Sequence, residues 1–185
     1  MFQIVAIVAL IVAVTPAAAD ASVAWEALRK GGYVALMRHA DAPGGAGDPA
    51  GFKLDDCSTQ RNLSERGRAE AVAMGAQIRA NGISFTRIVS SPWCRCVETA
   101  KLMDLGPVDI DPAFSNAFVL RDRREELRLD ASAILNTWTD GTLMVVTHGA
   151  NIQALSGVSP TSGEIVVVDP LTSPLRVIGR IPAPN

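Results

Sequence analysis

Hydrophobic positions along the chain fall into blocks of two periods. Tyr33–Met37 (Tyr-Val-Ala-Leu-Met) and Thr142–Thr147 (Thr-Leu-Met-Val-Val-Thr) are almost continuous apolar runs. Such runs predict strands buried on both faces. Phe85–Ser90, Val108–Ile110, Glu164–Val168 and Leu175–Ile178 predict four more strands. Between them the spacing becomes helical. Ala21–Lys30 keeps Val23, Ala24, Ala27 and Leu28 on one side and stops at Gly31-Gly32. Ser64 suits the cap of a helix that runs to about Ala80, with Ala69, Val72, Ala73, Ala76 and Ala80 at helical spacing. Asn81-Gly82 ends it. Pro92 fits the first turn of a helix from Trp93 to about Asp104. Arg121–Trp138 predicts a long charged helix with Leu127, Ala131, Ile134, Leu135 and Trp138 inward, and Gly149–Leu155 a short one. Strands alternating with helices argue for a single α/β domain: three layers, a largely parallel central sheet with helices on both faces. His39–Asn62 has no period and is rich in Gly, Pro and Asp. A loop of that length in a compact domain is usually functional.

The N-terminus stands apart. Residues 1–19 carry no charge, and 16 of the 19 are hydrophobic. The apolar run Ile4–Val14 is shorter than the ~20 residues a membrane-spanning helix needs. Thr15-Pro16 breaks it, and Ala17-Ala18-Ala19 fits a signal-peptidase site. The expectation is a signal peptide over 1–19, cut after Ala19, with an uncleaved N-terminal anchor as the alternative. Residues 20–185 then form the catalytic domain in an exported compartment, periplasmic or secreted. Membrane contact is expected only through the N-terminal segment, if it stays uncleaved.

Charge and cysteine content narrow the chemistry. With 17 Lys+Arg against 19 Asp+Glu, the net charge of −2 gives no footprint for nucleic acid. Two histidines and three cysteines, without CxxC or HxxxH spacing, give no basis for a metal site. Outside the cytoplasm thiols tend to pair. Cys94 and Cys96 are too close in sequence for an unstrained bridge, so Cys57 is expected to pair with Cys94 or Cys96.

In parallel sheets ligands collect beyond the carboxyl ends of the strands. Three polar clusters fall there: Arg38-His39, Ser90-Ser91 leading to Arg95, and Thr147-His148-Gly149. Both histidines of the chain therefore follow buried strands. These blocks resemble the histidine phosphatase superfamily, whose relatives include the cofactor-dependent phosphoglycerate mutases. Its Arg-His-Gly motif is matched by Arg38-His39-Ala40. Its Ser-Ser-x-x-x-Arg-x-x-x-Thr-Ala block is matched from Ser90 to Ala100, and its late His-Gly by His148-Gly149. Asn62-Leu63-Ser64-Glu65-Arg66-Gly67 is similar to the family's Leu-Thr-x-x-Gly helix start. The resemblance spans roughly Gly32 to Val168 and implies a phosphoglycerate mutase-like fold.

Phosphoryl transfer needs cations preorganised around the equatorial oxygens. Arg38 and Arg95 supply planar forks for phosphate. Neutral His39 is the expected nucleophile, passing through a phosphohistidine, and a cationic His148 would add a donor. Gly149 would let the backbone pass close to the ligand. Such a set can do the electrostatic work of a metal, so neither metal nor cofactor is expected. The general acid is the gap: Pro112–Phe118, where many relatives carry a glutamate, holds no carboxylate. Asp41 is the first substitute, Glu164 the second and Asp122 the third. In the long loop, Gln60, Arg61 and Asn62 are candidates for holding the phosphate or what it is attached to. The loop, together with Trp93–Cys96 and Ser162–Val167, also resembles an exported branch that includes lipopolysaccharide core heptose phosphate phosphatases. That implies a phosphorylated envelope sugar as the small-molecule substrate. The expected activity is a metal-independent phosphomonoesterase. The alternatives are a weakly catalytic phosphate-binding protein and a phosphotransferase or mutase of the same fold.

Overall fold

The computed structural model describes residues 16–45 and 47–184. Its frame is a six-stranded sheet formed by β1 (Val34–Arg38), β2 (Arg87–Ser90), β3 (Val108–Ile110), β4 (Leu143–Thr147), β5 (Ile165–Asp169) and β6 (Arg176–Ile181). The strand order is β3-β2-β4-β1-β5-β6. The first four run parallel, while β5 is antiparallel to β1 and β6 to β5. The sheet is therefore mixed but mostly parallel. The antiparallel edge follows from connection length: the short turn between Asp169 and Arg176 allows a hairpin but no parallel crossover.

The alternation of the strands decides what each layer contacts. Ala35, Met37, Met144, Val146, Ile165 and Val167 face one core, where α1 (Pro16–Lys30), α2 (Glu65–Ala80) and α3 (Cys94–Leu102) pack. Val34, Leu36, Val145, Val166 and Val168 face the other, against α4 (Arg124–Asn136) and α5 (Gly149–Ser156). Both faces of β1, β4 and β5 are thus buried, which is why these strands read as unbroken apolar runs. Gly179 lets α1 lie close on β6: a Cβ there would sit 2.5 Å from the Asp20 carbonyl oxygen.

The expected helix Arg121–Trp138 divides into a 3-10 turn, Arg121–Arg123, and α4. No side chain caps either start, so nothing fixes a regular α-helical entry at Arg121. Ser64 does cap α2, its hydroxyl accepting from the Gly67 amide at 2.9 Å. Pro92 precedes α3 rather than entering it. The expected cleavage point after Ala19 falls within α1, and residues 1–15 of the expected signal segment lie outside the described residues. Among the described residues no helix is long and apolar enough to cross a membrane.

Candidate active site

The β1–β4 register places Arg38 beside Thr147, and the β2–β4 register places Ser90 beside Val146. The three strands therefore end side by side, and the residues that follow them converge. The rings of His39 and His148 lie 5.5 Å apart between centroids. They border a cavity of about 310 Å³ that is also lined by Arg38, Arg61, Asn116, Phe118, Gly149 and Gln153.

His39 is 2% exposed. Its Nδ1–H donates to the Ala40 carbonyl at 2.8 Å, which leaves a lone pair on Nε2. Burial first, then the Arg95 charge, pushes its pKa down to about 3, so the ring is neutral across the physiological range. His148 is held well below its ordinary value by burial, then by His39 and Arg95. That direction favours the neutral ring, whereas the expected extra donor to phosphate requires the cationic one. Its Nδ1 faces a terminal nitrogen of Arg95 at 3.5 Å, and its Nε2 pairs with the Ser91 hydroxyl at 2.9 Å.

The arginines divide. Arg38 donates to the Pro160 carbonyl at 3.0 Å and borders the cavity. Arg61 donates to the Ala42 carbonyl at 2.7 Å and borders it as well. Its Nε is buried with no hydrogen-bond partner, a free donor beside the cavity. Arg95 is fully buried and does not line the cavity. Its Nε–H points at His39 Nε2 at 3.2 Å, and its terminal nitrogens grip Asp48 at 2.7 and 3.2 Å. Of the two arginines expected to hold phosphate, Arg38 lines the cavity together with Arg61, and Arg95 lies behind it against His39.

Asp48 escaped the sequence reading. It sits in the unpatterned loop between Gly47 and Pro49, with neither period nor motif to mark it. A lone carboxylate between two turn-forming residues was the only available signal. Its side chain is fully buried and also accepts from the Arg61 amide at 3.0 Å and the Trp93 indole at 2.9 Å. Burial would raise its pKa, but the Arg95 hydrogen bond and these two donors outweigh burial and keep it below the ordinary carboxylate value.

Both expected acids have other partners. Asp41 accepts from the Ser64 hydroxyl at 2.6 Å and pairs with Arg66 at 2.8 Å; these two hold its pKa down. Glu164 pairs with Arg180 at 2.5 Å and accepts from the Thr161 amide at 2.7 Å. Those bonds overcome the upward push of burial. Both carboxyls stay ionised at neutral pH, and neither lines the cavity. Asp122 is exposed in the 3-10 turn before α4 and is also absent from the lining.

Of the three loop candidates only Arg61 reaches the cavity. Gln60 Oε1 accepts from the Cys94 amide at 3.0 Å, serving as a remote cap for α3, whose Trp93 offers no side-chain cap. Asn62 donates to the Cys57 carbonyl at 2.6 Å and shapes the loop. Gly149 lies beside Arg38: a Cβ there would meet Arg38 Cδ at 3.4 Å, an ordinary van der Waals contact. The disulfide joins Cys57 to Cys94, with Cα atoms 5.7 Å apart, and Cys96 is free and buried. Among the described residues no cluster of three or more His, Cys, Asp or Glu side chains is arranged to hold a metal ion.

Residues 34–119 match the family model described as "Histidine phosphatase superfamily (branch 1)". No curated protein matches the chain. Among solved structures, the protein histidine phosphatase SixA complexed with tungstate is 18% identical with a TM-score of 0.56, over 81% of this chain and 96% of that one. TTHB049 from Thermus thermophilus is 17% identical with a TM-score of 0.59, over 81% and 99%. The Rv3214 protein of Mycobacterium tuberculosis is 16% identical with a TM-score of 0.53, over 74% and 90%. At these identities the three establish the fold alone.

Proposed function

We propose that this chain, whose residues 34–119 match the histidine phosphatase superfamily model, belongs to that superfamily and is a metal-independent phosphatase that works through a phosphohistidine on His39. The observation that carries this is the locked tautomer: Nδ1–H on the Ala40 carbonyl, with the neutral Nε2 beside a cavity that carries two arginines. The lone pair of Nε2 attacks phosphorus as the bond to the leaving group breaks. The resulting ring is cationic, and Ala40 stabilises it through Nδ1–H. Water then attacks phosphorus, the P–N bond returns its electrons to Nε2, and dihydrogen phosphate leaves. Arg38 and Arg61 neutralise the transferred group, with no metal ion required.

The leaving group we favour is chosen because no carboxylate lines the cavity among the described residues. A sugar alkoxide needs a proton, and a positioned acid contributes about 10²–10⁴-fold in rate. A phosphorylated imidazole carrying a proton on its other nitrogen departs neutral and needs none. The site therefore best suits N-phosphoryl or aryl phosphate substrates; one structural neighbour carries the name protein histidine phosphatase. A second reading is the phosphorylated envelope sugar, with water as the proton source. The Cys57–Cys94 bridge supports it, because such bridges persist in oxidising, exported compartments.

The test is rapid quench with labelled phosphoramidate, p-nitrophenyl phosphate and sugar phosphates, all with EDTA present. The expected result is acid-labile label on the peptide containing His39, with the first two substrates faster than the sugars by about 100-fold or more. Equal rates for sugar phosphates would favour the second reading. Loss of activity in EDTA with no labelled His39 would overturn the mechanism.

A further inference from the structure

Asn116 lies in the loop between β3 and α4, is 4% exposed and borders the cavity beside the two histidines. Its Oδ1 accepts from the Phe118 amide at 3.0 Å. A backbone N–H only donates, so this bond fixes which end of the side chain is oxygen and leaves Nδ2 as the free end. Among the described residues Nδ2 has no hydrogen-bond partner. Arg61 Nε is the one fully buried side-chain atom without a partner there, so Nδ2 is accessible, and the space Asn116 borders is the cavity. The donor is also held in place. Asn151 brackets it, accepting from the Ala117 amide at 3.2 Å and donating to the Ser115 carbonyl at 2.8 Å. Thr147, at the end of β4, donates to the Phe114 carbonyl at 2.9 Å. The loop is thus fastened to the strand and the helix that flank His148. A buried amide oriented this firmly and given no acceptor by the protein is preorganised for a ligand.

We propose that Asn116 is a catalytic residue for the leaving group: its Nδ2–H donates to the atom that parts from phosphorus and keeps its proton. The proposal rests on the phosphatase reading above and narrows its substrate class. Asn116 reaches the cavity from the β3 side, whereas Arg38 comes from β1 and is anchored on the Pro160 carbonyl. The two arginines meet the charge that the phosphoryl oxygens carry from the start. The departing atom gains its charge only as the bond breaks, when the electron pair of the P–O or P–N bond stays on it. A neutral donor there strengthens just as that charge arrives, which accelerates the step without tightening the ground state. The N–H bond stays intact throughout. A phenol therefore leaves as phenolate, and an imidazole already protonated on its other nitrogen leaves neutral. A sugar alkoxide receives no proton from an amide, so the same residue selects phenols and imidazoles over sugar hydroxyls.

The test follows kcat/KM, which includes departure of the phenol, for p-nitrophenyl, p-chlorophenyl and phenyl phosphate in wild type and Asn116→Ala. These phenols are progressively weaker acids. We expect a loss of about threefold with p-nitrophenyl phosphate, growing to about 30-fold or more with phenyl phosphate. An equal loss with all three, or none, would overturn the proposal. Asn116→Asp keeps an acceptor for the Phe118 amide and replaces the donor with a group that protonates in acid. At about pH 5 it should raise the rate for glycerol 2-phosphate relative to p-nitrophenyl phosphate about tenfold or more over wild type. An unchanged ratio would count equally against the proposal. Should the variants fail to fold, wild type decides. Vanadate places an oxygen where the leaving atom sits and should move the Asn116 side-chain amide resonance downfield; no shift would overturn the proposal. A shifted resonance without turnover or phosphorylated His39 defeats the proposed function and leaves the donor in place. Phosphorylated His39 with the same leaving-group dependence in wild type and Asn116→Ala does the reverse.

Discussion

His39 and Ala40 form a closed unit: the Ala40 carbonyl accepts the His39 Nδ1–H at 2.8 Å, while the Ala40 amide donates to Thr99 Oγ1 at 3.1 Å. Thr99 in turn donates to the Arg95 carbonyl at 2.7 Å. Nucleophile, its orienting carbonyl and the helix that carries Arg95 are thus linked through one hydroxyl. The Arg-His-x and Arg-x-x-x-Thr motifs, 56 residues apart between His39 and Arg95, meet at this point.

Thr99→Val tests that linkage. The variant keeps the shape of the side chain but leaves the buried Ala40 amide without an acceptor. An unsatisfied buried group costs about 1–3 kcal/mol, so the melting temperature should fall by several degrees. Because the carbonyl that orients His39 loses its anchor, kcat should fall as well while KM moves little. Thermal melts and steady-state kinetics on the same preparation check both, and a stability loss with unchanged kcat would confine Thr99 to a structural role.

The low pKa of His39 makes stability depend on pH in a defined direction. Folding lowers it from 6.5 to about 3, so the unfolded chain binds more protons between those values. Stability is therefore complete above about 6.5 and is lost progressively as the pH falls toward 3. At about 1.4 kcal/mol per unit, His39 alone can withdraw up to about 5 kcal/mol over that range. His148, shifted the same way, adds to the loss. His39→Ala should flatten the acid side of a stability profile measured by denaturant melts, and it should abolish turnover. For the same reason kcat/KM should show no limb near 6.5 from the nucleophile.

The fold was legible wherever one period held over a whole element. The apolar runs that became β1 and β4 are buried on both faces, and the strand ends that carry His39 and His148 followed directly from them. The antiparallel β5–β6 edge was less legible, because burial patterns do not encode strand direction. Within the site, motif residues could be found by spacing, but their partners could not. Asp48 acts through the tertiary path of a loop with no period. The same holds for Gln60 as a cap and Glu164 as a partner of Arg180: residue type suggested chemistry, and packing assigned other work.

The bridge between Cys57 and Cys94 closes a loop of sequence separation 37 and pins it to the first turn of α3. The chain-entropy model gives a loop of this size about 4 kcal/mol of stabilisation. The double variant Cys57→Ser, Cys94→Ser should therefore melt many degrees lower and bind phosphate more weakly, since Arg61 lies on that loop and borders the cavity. Cys96 should behave differently from the bridged pair. Burial pushes its thiol up to about 12, so it should resist iodoacetamide at pH 8 in the folded protein and react after denaturation. Mass spectrometry of the alkylated, non-reduced protein reads both outcomes, and three labelled cysteines in the native state would contradict both.

Gly149 separates site geometry from stability more cleanly than any of the arginines. It opens α5 and its backbone is not in the left-handed region, so alanine is conformationally acceptable there. In a helix alanine is favoured over glycine by up to about 1 kcal/mol. The added methyl would meet Arg38 at Cδ 3.4 Å, Nε 3.6 Å and Cζ 3.8 Å. These are ordinary van der Waals distances, so neither the arginine nor the fold must shift; the methyl instead takes up space at the edge of the cavity that Gly149 lines. Gly149→Ala should therefore keep or slightly raise the melting temperature while it weakens phosphate binding and raises KM severalfold. Calorimetric titration with inorganic phosphate measures the first effect and initial rates the second. A variant with wild-type phosphate affinity would show that the bound phosphate does not approach Gly149.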